Sequence, residues 1–263
     1  MKRKKTCTPS HDTAFGNRST IVCGINNCCY SRTGRSSYRL HLCVALGLLL
    51  LGGCNSTTVL LSNFKNDTIG SPPAPAQPTG TVSVNPGSGS VIVVAAPNPD
   101  LPSNKWAQIN HPNAQTPETT LTGDFEGATG VGNYSLVASM YIPSGAGVVT
   151  VQFETLVSPQ PHLSFLHLDF MPEGDVRVDD SAVRFGNFPR DQAFVLNVTL
   201  DITATNATAE ITLLGGSASG NQTVNIQPLL LPLARQFGAV KFWIGFQHEA
   251  SFFVDDILVT RKK

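Results

Sequence analysis

From about residue 105 to the C-terminus, apolar and polar side chains alternate in short runs. Phe194, Leu196, Val198, Leu200 and Ile202 stand against Val195, Asn197, Thr199 and Asp201, the period-two pattern of a strand with one buried face. Ala209, Ile211 and Leu213 repeat it against Glu210 and Thr212, and Val149, Val151 and Phe153 face away from Thr150, Gln152 and Glu154. Leu136, Ala138, Met140 and Ile142 form another inward set, and Val176 and Val178 alternate with Asp175, Arg177 and Asp179. VKFWIGFQ (240–247) and SFFVDDILV (251–259) close the series, while Gly, Pro, Asn and Asp punctuate it at MPEG, FGNFPRD and ATNAT. These runs amount to about ten strands, with no amphipathic helix among them. They predict an all-β domain, a single antiparallel β-sandwich over residues 100–263, in which half of each strand's side chains are buried between two sheets.

Upstream the pattern changes. Residues 55–80, NSTTVLLSNFKNDTIGSPPAPAQPTG, are polar and then rich in proline, the composition of an extended tether. VIVVAAP, from Val91, is read as an edge strand that opens the fold, and PNPDLPSN as further loop. The chain thus divides into a leader (1–53), a tether (54–99) and the sandwich (100–263). Cysteine and charge divide in the same way. Cys7, Cys23, Cys28, Cys29, Cys43 and Cys54 are the six cysteines, so nothing beyond Cys54 can form a disulfide or a thiolate metal site. Residues 1–53 hold eight of the 18 basic and one of the 18 acidic side chains, which leaves the remainder near −7 under a neutral total. An acidic domain argues against nucleic acid as a partner, because phosphate binding needs a basic face.

The leader has its own logic. Arg32, Arg35 and Arg39 precede an apolar run, 42–51, that is too short for a bilayer-spanning helix of about 20 residues and suits the apolar core of a signal peptide. Leu51-Gly52-Gly53-Cys54 then resembles the lipobox of bacterial lipoproteins. That resemblance implies acylation of Cys54, which would become the first residue of the mature chain and its membrane anchor. Asn55 at the following position implies sorting within a bacterial cell envelope to the outer membrane. Residues 1–31 exceed the short basic segment such leaders carry, and a start at a codon such as that of Val22 would remove most of the excess. Seven N-x-S/T triplets would fit a glycosylated secreted protein, but such triplets arise readily in an Asn/Thr-rich β protein, and the lipobox outweighs them.

The succession FLHLDFMPEGDVRVDD, VRFGNFPRDQAFVLNVTLDIT, ATAEITLLG and SFFVDDILVT resembles concanavalin A-like (laminin G-like) jelly rolls over roughly residues 120–263. GDFEG at 123–127 and the closing FFVDDI also resemble galactose-binding-like carbohydrate modules. Both resemblances imply a jelly roll. The second places calcium near the last strand, where Glu126 with Asp255 or Asp256 would supply the hard oxygen ligands Ca²⁺ prefers. Asp255 and Asp256 are adjacent, so on a regular strand they point to opposite faces and cannot form a catalytic pair. The glucanase pattern E-x-D-x-x-E is absent from HLDFMPEG. No G-x-S-x-G, HExxH or phosphate loop is present either. The sequence therefore reads as a non-enzyme that requires no cofactor.

Trp243 is the apolar exception on the outer side of VKFWIGFQ, with Gly245 leaving space beside it and Gln247 expected on the same side. His167 and Asp169 occupy the outer side of FLHLDF together with Phe165. An aromatic face among hydrogen-bonding groups suits a sugar ring, so Trp243, Gln247, His167 and Asp169 are the candidate ligand residues. Trp106 and Tyr134 are further aromatic candidates. The competing reading buries Trp243 under a loop such as 221–237 and makes His167 a satisfied structural histidine. The sequence thus points to a membrane-anchored lipoprotein whose lectin-like sandwich binds glycan or an envelope protein. A structural or adhesion lipoprotein without a small ligand, and a polysaccharide-active enzyme, are the alternatives.

Overall fold

A computed structural model describes residues 56–98, 104–125, 130–155, 163–179, 184–245 and 247–262. The alternation resolves into two antiparallel sheets packed face to face. The first has eight strands: β13 (Asn221–Asn225), β12 (Ala207–Leu214), β11 (Ala193–Ile202), β6 (Gly132–Tyr141), β15 (Ala250–Lys262), β4 (Lys105–His111) and β3 (Ser90–Ala95) in spatial order, with β1 (Ser56–Ser62) also paired to β15. The second has seven: β10 (Arg184–Phe185), β9 (Val176–Val178), β8 (Ser164–Phe170), β7 (Val149–Thr155), β14 (Phe237–Ile244), β5 (Thr119–Asp124) and β2 (Thr81–Asn85). The expected all-β, two-sheet jelly-roll sandwich is what the chain forms.

The inward sets are those the alternation selects. Phe194, Leu196, Val198, Leu200 and Ile202 are sealed from solvent, as are Val149, Val151 and Phe153 on β7 and Val240, Phe242 and Ile244 on β14. Aromatic rings lock the two layers together. Phe237 meets Phe125, Tyr134, Phe165 and Phe153 at centroid distances of 4.9, 5.2, 5.5 and 5.8 Å, and a second group joins Phe170, Phe188 and Phe194. Such edge and tilted contacts add specificity to the area they bury. Phe165 departs from the expected outer position. The β7–β8 register slips between Phe153 and Glu154, and Phe165 turns into this core.

The expected tether is part of the sandwich. β1, β2 and β3 all lie within residues 54–99 and flank β15, β5 and β4. Leu60, Val82, Val91 and Val93 fill the core. The proline stretch carries the chain from the first sheet to the second, and its polar groups are tied down: Val82 N–H donates to Pro75 O at 2.8 Å, and Ala74 N–H to the Asp67 carboxylate at 3.2 Å. Proline and serine content signalled extended chain correctly, but extended chain that pairs at a sheet edge is a strand.

One irregularity organises the first sheet. β4 pairs with β15 over residues 250–254 and β1 pairs over 257–262, on the same flank. Between them β15 bulges, and Asp256 takes a left-handed backbone conformation with φ of 48°.

Candidate functional site

The outer face of the second sheet carries two rows of polar side chains that register lines up across the strands. Arg177 on β9 faces Asp169 on β8, then Thr150 on β7, Trp243 on β14 and Thr120 on β5. The neighbouring row runs His167, Gln152, Lys241 and Thr122. Above these rows lies a groove of about 720 Å³, lined by Thr150, Gln152, His167, Asp169, Arg177 and Trp243, with Glu118, Gly245 and His248 at its border.

Trp243 is partly buried, and the benzene side of its ring packs beside Gly245. A methyl group added to Gly245 would come within 2.8 Å of Cζ3 and 3.0 Å of Cη2 of the indole, so glycine is what lets the ring rest there. Lys241 Nζ sits 4.8 Å from the ring centroid, a cation–π contact, and is itself held by Glu118 at 3.0 Å and Glu154 at 3.9 Å. The indole N–H is shielded from water and has no acceptor among the described residues.

The opposite wall is ordered by carboxylates. Thr150 Oγ1 donates to Asp169 Oδ1 at 2.7 Å, and the His167 backbone N–H donates to Asp179 Oδ1 at 2.9 Å. The imidazole lies between those two acids, with Nδ1 3.5 Å from Asp179 and Nε2 3.9 Å from Asp169. Asp169 is almost fully buried, so its role is to fix its neighbours rather than to meet solvent. The face therefore combines an aromatic ring, an imidazole set between two carboxylates, an amide and hydroxyls, which together offer stacking and hydrogen-bonding groups to a ligand.

Trp243, His167 and Asp169 converge as the sequence predicts, and Gln247 does not. β14 ends at Ile244 and a turn follows, closed by His248 N–H to Gly245 O at 3.2 Å. Gln247, at φ of 75°, donates its backbone N–H to Ala114 O, and His248 takes the place at the groove. Trp106 and Tyr134 are buried, which removes both as ligand candidates. Arg177, Gln152 and Thr150 were legible as outward residues, but only the strand order reveals that they are neighbours.

Asp255 and Asp256 lie in the first sheet, at the bulge. Asp255 is sealed from solvent; Asn104 donates its side-chain amide to one of its oxygens, while Oδ1 has no partner among the described residues. Burial, and next the charge of Asp256, push the Asp255 carboxyl up to about 8, while burial also raises Asp256 against the opposing pull of Lys65. The bulge cancels the alternation that would have put the two acids on opposite faces, and the charge of Asp256 bears on Asp255. Glu126 lies outside the described residues, and among these no three His, Cys, Asp or Glu side chains converge, whereas Ca²⁺ takes six to eight oxygens. Cys54 also lies outside the described residues.

No family model matches the chain. No curated protein matches it in sequence. Among solved structures it is similar to a protein of unknown function from Shewanella oneidensis MR-1, at a TM-score of 0.54 and 12% identity over 88% of this chain and 97% of that one. A lectin, UEA-II, complexed with galactose aligns at a TM-score of 0.49 and 8% identity over 80% of this chain and 100% of the lectin. A sialidase aligns at 0.46 and 10% identity, over 77% of this chain but 18% of the sialidase. At these identities the likeness to the Shewanella protein shows the sandwich fold and nothing about activity.

Proposed function

We propose that this protein is a bacterial envelope lipoprotein that binds glycan, without turning it over, in the groove over Trp243. The observation that supports the reading is the Trp243 indole, packed beside Gly245, in one groove with His167, Gln152 and Thr150. An apolar plate with polar groups at its edge matches the C–H face and hydroxyl rim of a pyranose. A glycan array probed with the full-length protein tests it. Retention of a defined set of oligosaccharides is expected, and a blank array would contradict the reading.

The anchor is the second part of the proposal. Only Asn55 separates Cys54 from β1, which begins at Ser56. Acylation of Cys54 would therefore hold the sandwich at the bilayer surface with no tether between them. Cys54→Ala should abolish lipid labelling and membrane recovery, since no later cysteine can carry a thioether. Equal membrane recovery of the variant and the native protein would contradict the anchor.

A further inference from the structure

We propose that the groove selects a carboxylate-bearing glycan, with the acid group received by Arg177. The proposal rests on the glycan reading above and adds the charge of the ligand. Arg177 is the middle residue of β9. Val176 and Val178 on either side of it are buried in the core, so strand alternation commits the guanidinium to the groove side. Its Nε is shielded from water and has no acceptor among the described residues.

The acids around it are already engaged. Asp169, directly across the β8–β9 pair, accepts from Thr150, and Asp179 accepts the backbone N–H of His167. Arg184, opposite Arg177 across the β9–β10 pair, takes Asp175 at 3.3 Å and Glu173 at 3.6 Å. Glu118 is held by Lys241. Every other cation named on this face has a carboxylate partner, and Arg177 has none among the described residues. A planar fork of donors that is partly withdrawn from water and lacks a protein acceptor is matched to a planar carboxylate. The indole N–H of Trp243, also without an acceptor, lies along the same register row, two strands beyond Asp169. An acidic oligosaccharide laid along this row would bring a carboxylate to the accessible end of the Arg177 guanidinium while another of its rings meets Trp243, three strands away at about 4.8 Å per strand.

Matched oligosaccharides test the charge separately from the sugar. The probes are tetragalacturonate and its methyl ester, a hyaluronate hexasaccharide and its carboxyl-reduced form, and sialyllactose and lactose. The native full-length protein should bind the acidic member of at least one pair about tenfold more tightly, a preference that shrinks between 50 and 500 mM salt, as charge-assisted contacts do. Arg177→Gln should bring that ratio close to one by weakening the acidic member, and Arg177→Lys, which keeps the charge and loses the fork, should fall between. Equal binding of acidic and neutral members by the native protein would overturn the charge assignment and leave the glycan reading intact. An undiminished preference in Arg177→Gln would move the acid group to another residue and overturn the role of Arg177. Binding to none of the probes, neutral or acidic, would overturn both readings.

Discussion

The groove of the second sheet and the bulge of the first each hold shielded polar atoms without a partner among the described residues, and the two sets have opposite chemistry. On the groove side of the second sheet they are donors, Nε1 of Trp243 and Nε of Arg177, shielded atoms of two residues whose remaining surfaces line the groove. At the bulge of the first sheet the unpartnered group is an acceptor, Oδ1 of Asp255, and the residue is closed to solvent. An unanswered donor at the edge of a cavity can be completed by a ligand. A sealed carboxyl can be relieved only by a proton or a cation. The difference separates a groove that a ligand can enter from a sealed site that the rest of the fold supports.

The sharpest way to break this comparison is to remove the charge at the bulge. The Asp255 carboxyl is raised from its usual range to about 8, so the folded state keeps a proton that the unfolded chain releases. Stability from this group is therefore complete below the ordinary carboxylate pKa near 4, declines as pH rises toward 8 and is level above that. Asp255→Asn keeps the shape and removes the titration. It should raise stability at pH 8 by roughly 2 kcal/mol, because it removes a buried charge with incomplete compensation, and leave stability at pH 4 nearly unchanged. Thermal melts at the two pH values check this. Destabilisation at pH 8 would mean that the carboxylate is needed ionised, as a metal ligand would be.

A smaller effect is expected at the groove. Gly245→Ala would drive a methyl group against the indole of Trp243 and should weaken binding of whichever glycan an array identifies by about 1 kcal/mol, near fivefold, with the melting temperature almost unaltered. A large drop in melting temperature with binding intact would show the ring to be packing material rather than a platform. The smallest effect belongs to chelation. EDTA should leave the melt unchanged if a proton relieves Asp255, and a loss of several degrees would restore calcium bound by Glu126 with Asp255 or Asp256.

The sheets were legible because period-two alternation is a direct consequence of strand geometry, and every long run from β6 to β15 shows it. Two kinds of feature escaped. The first was the status of residues 56–95, where a proline-rich stretch (72–78) interrupts the runs and the pairing partner, such as Lys262 for Ser56, is far away in sequence. The second was local breakdown of the alternation. Gln247 was assigned by parity beyond the true end of β14, Phe165 turns inward at a register slip, and Asp256 turns at a bulge. Trp243, His167 and Asp169 share one groove because each sits inside a regular strand. Arg177 was visible as an outward residue, but its meaning depends on which carboxylates are already occupied, and that is settled only in three dimensions.

The central claim is that Trp243 is a sugar platform, and one paired measurement tests it: titration of Trp243→Ala and of the native protein with an array-identified glycan, alongside their melting curves. The account predicts a loss of roughly 1–3 kcal/mol in binding, the scale of a large aromatic contact, with the fold retained because Val240, Phe242 and Ile244 hold β14 in the core from its other side. Unchanged affinity, or a collapse of the melting temperature with no glycan bound by the native protein, would contradict it.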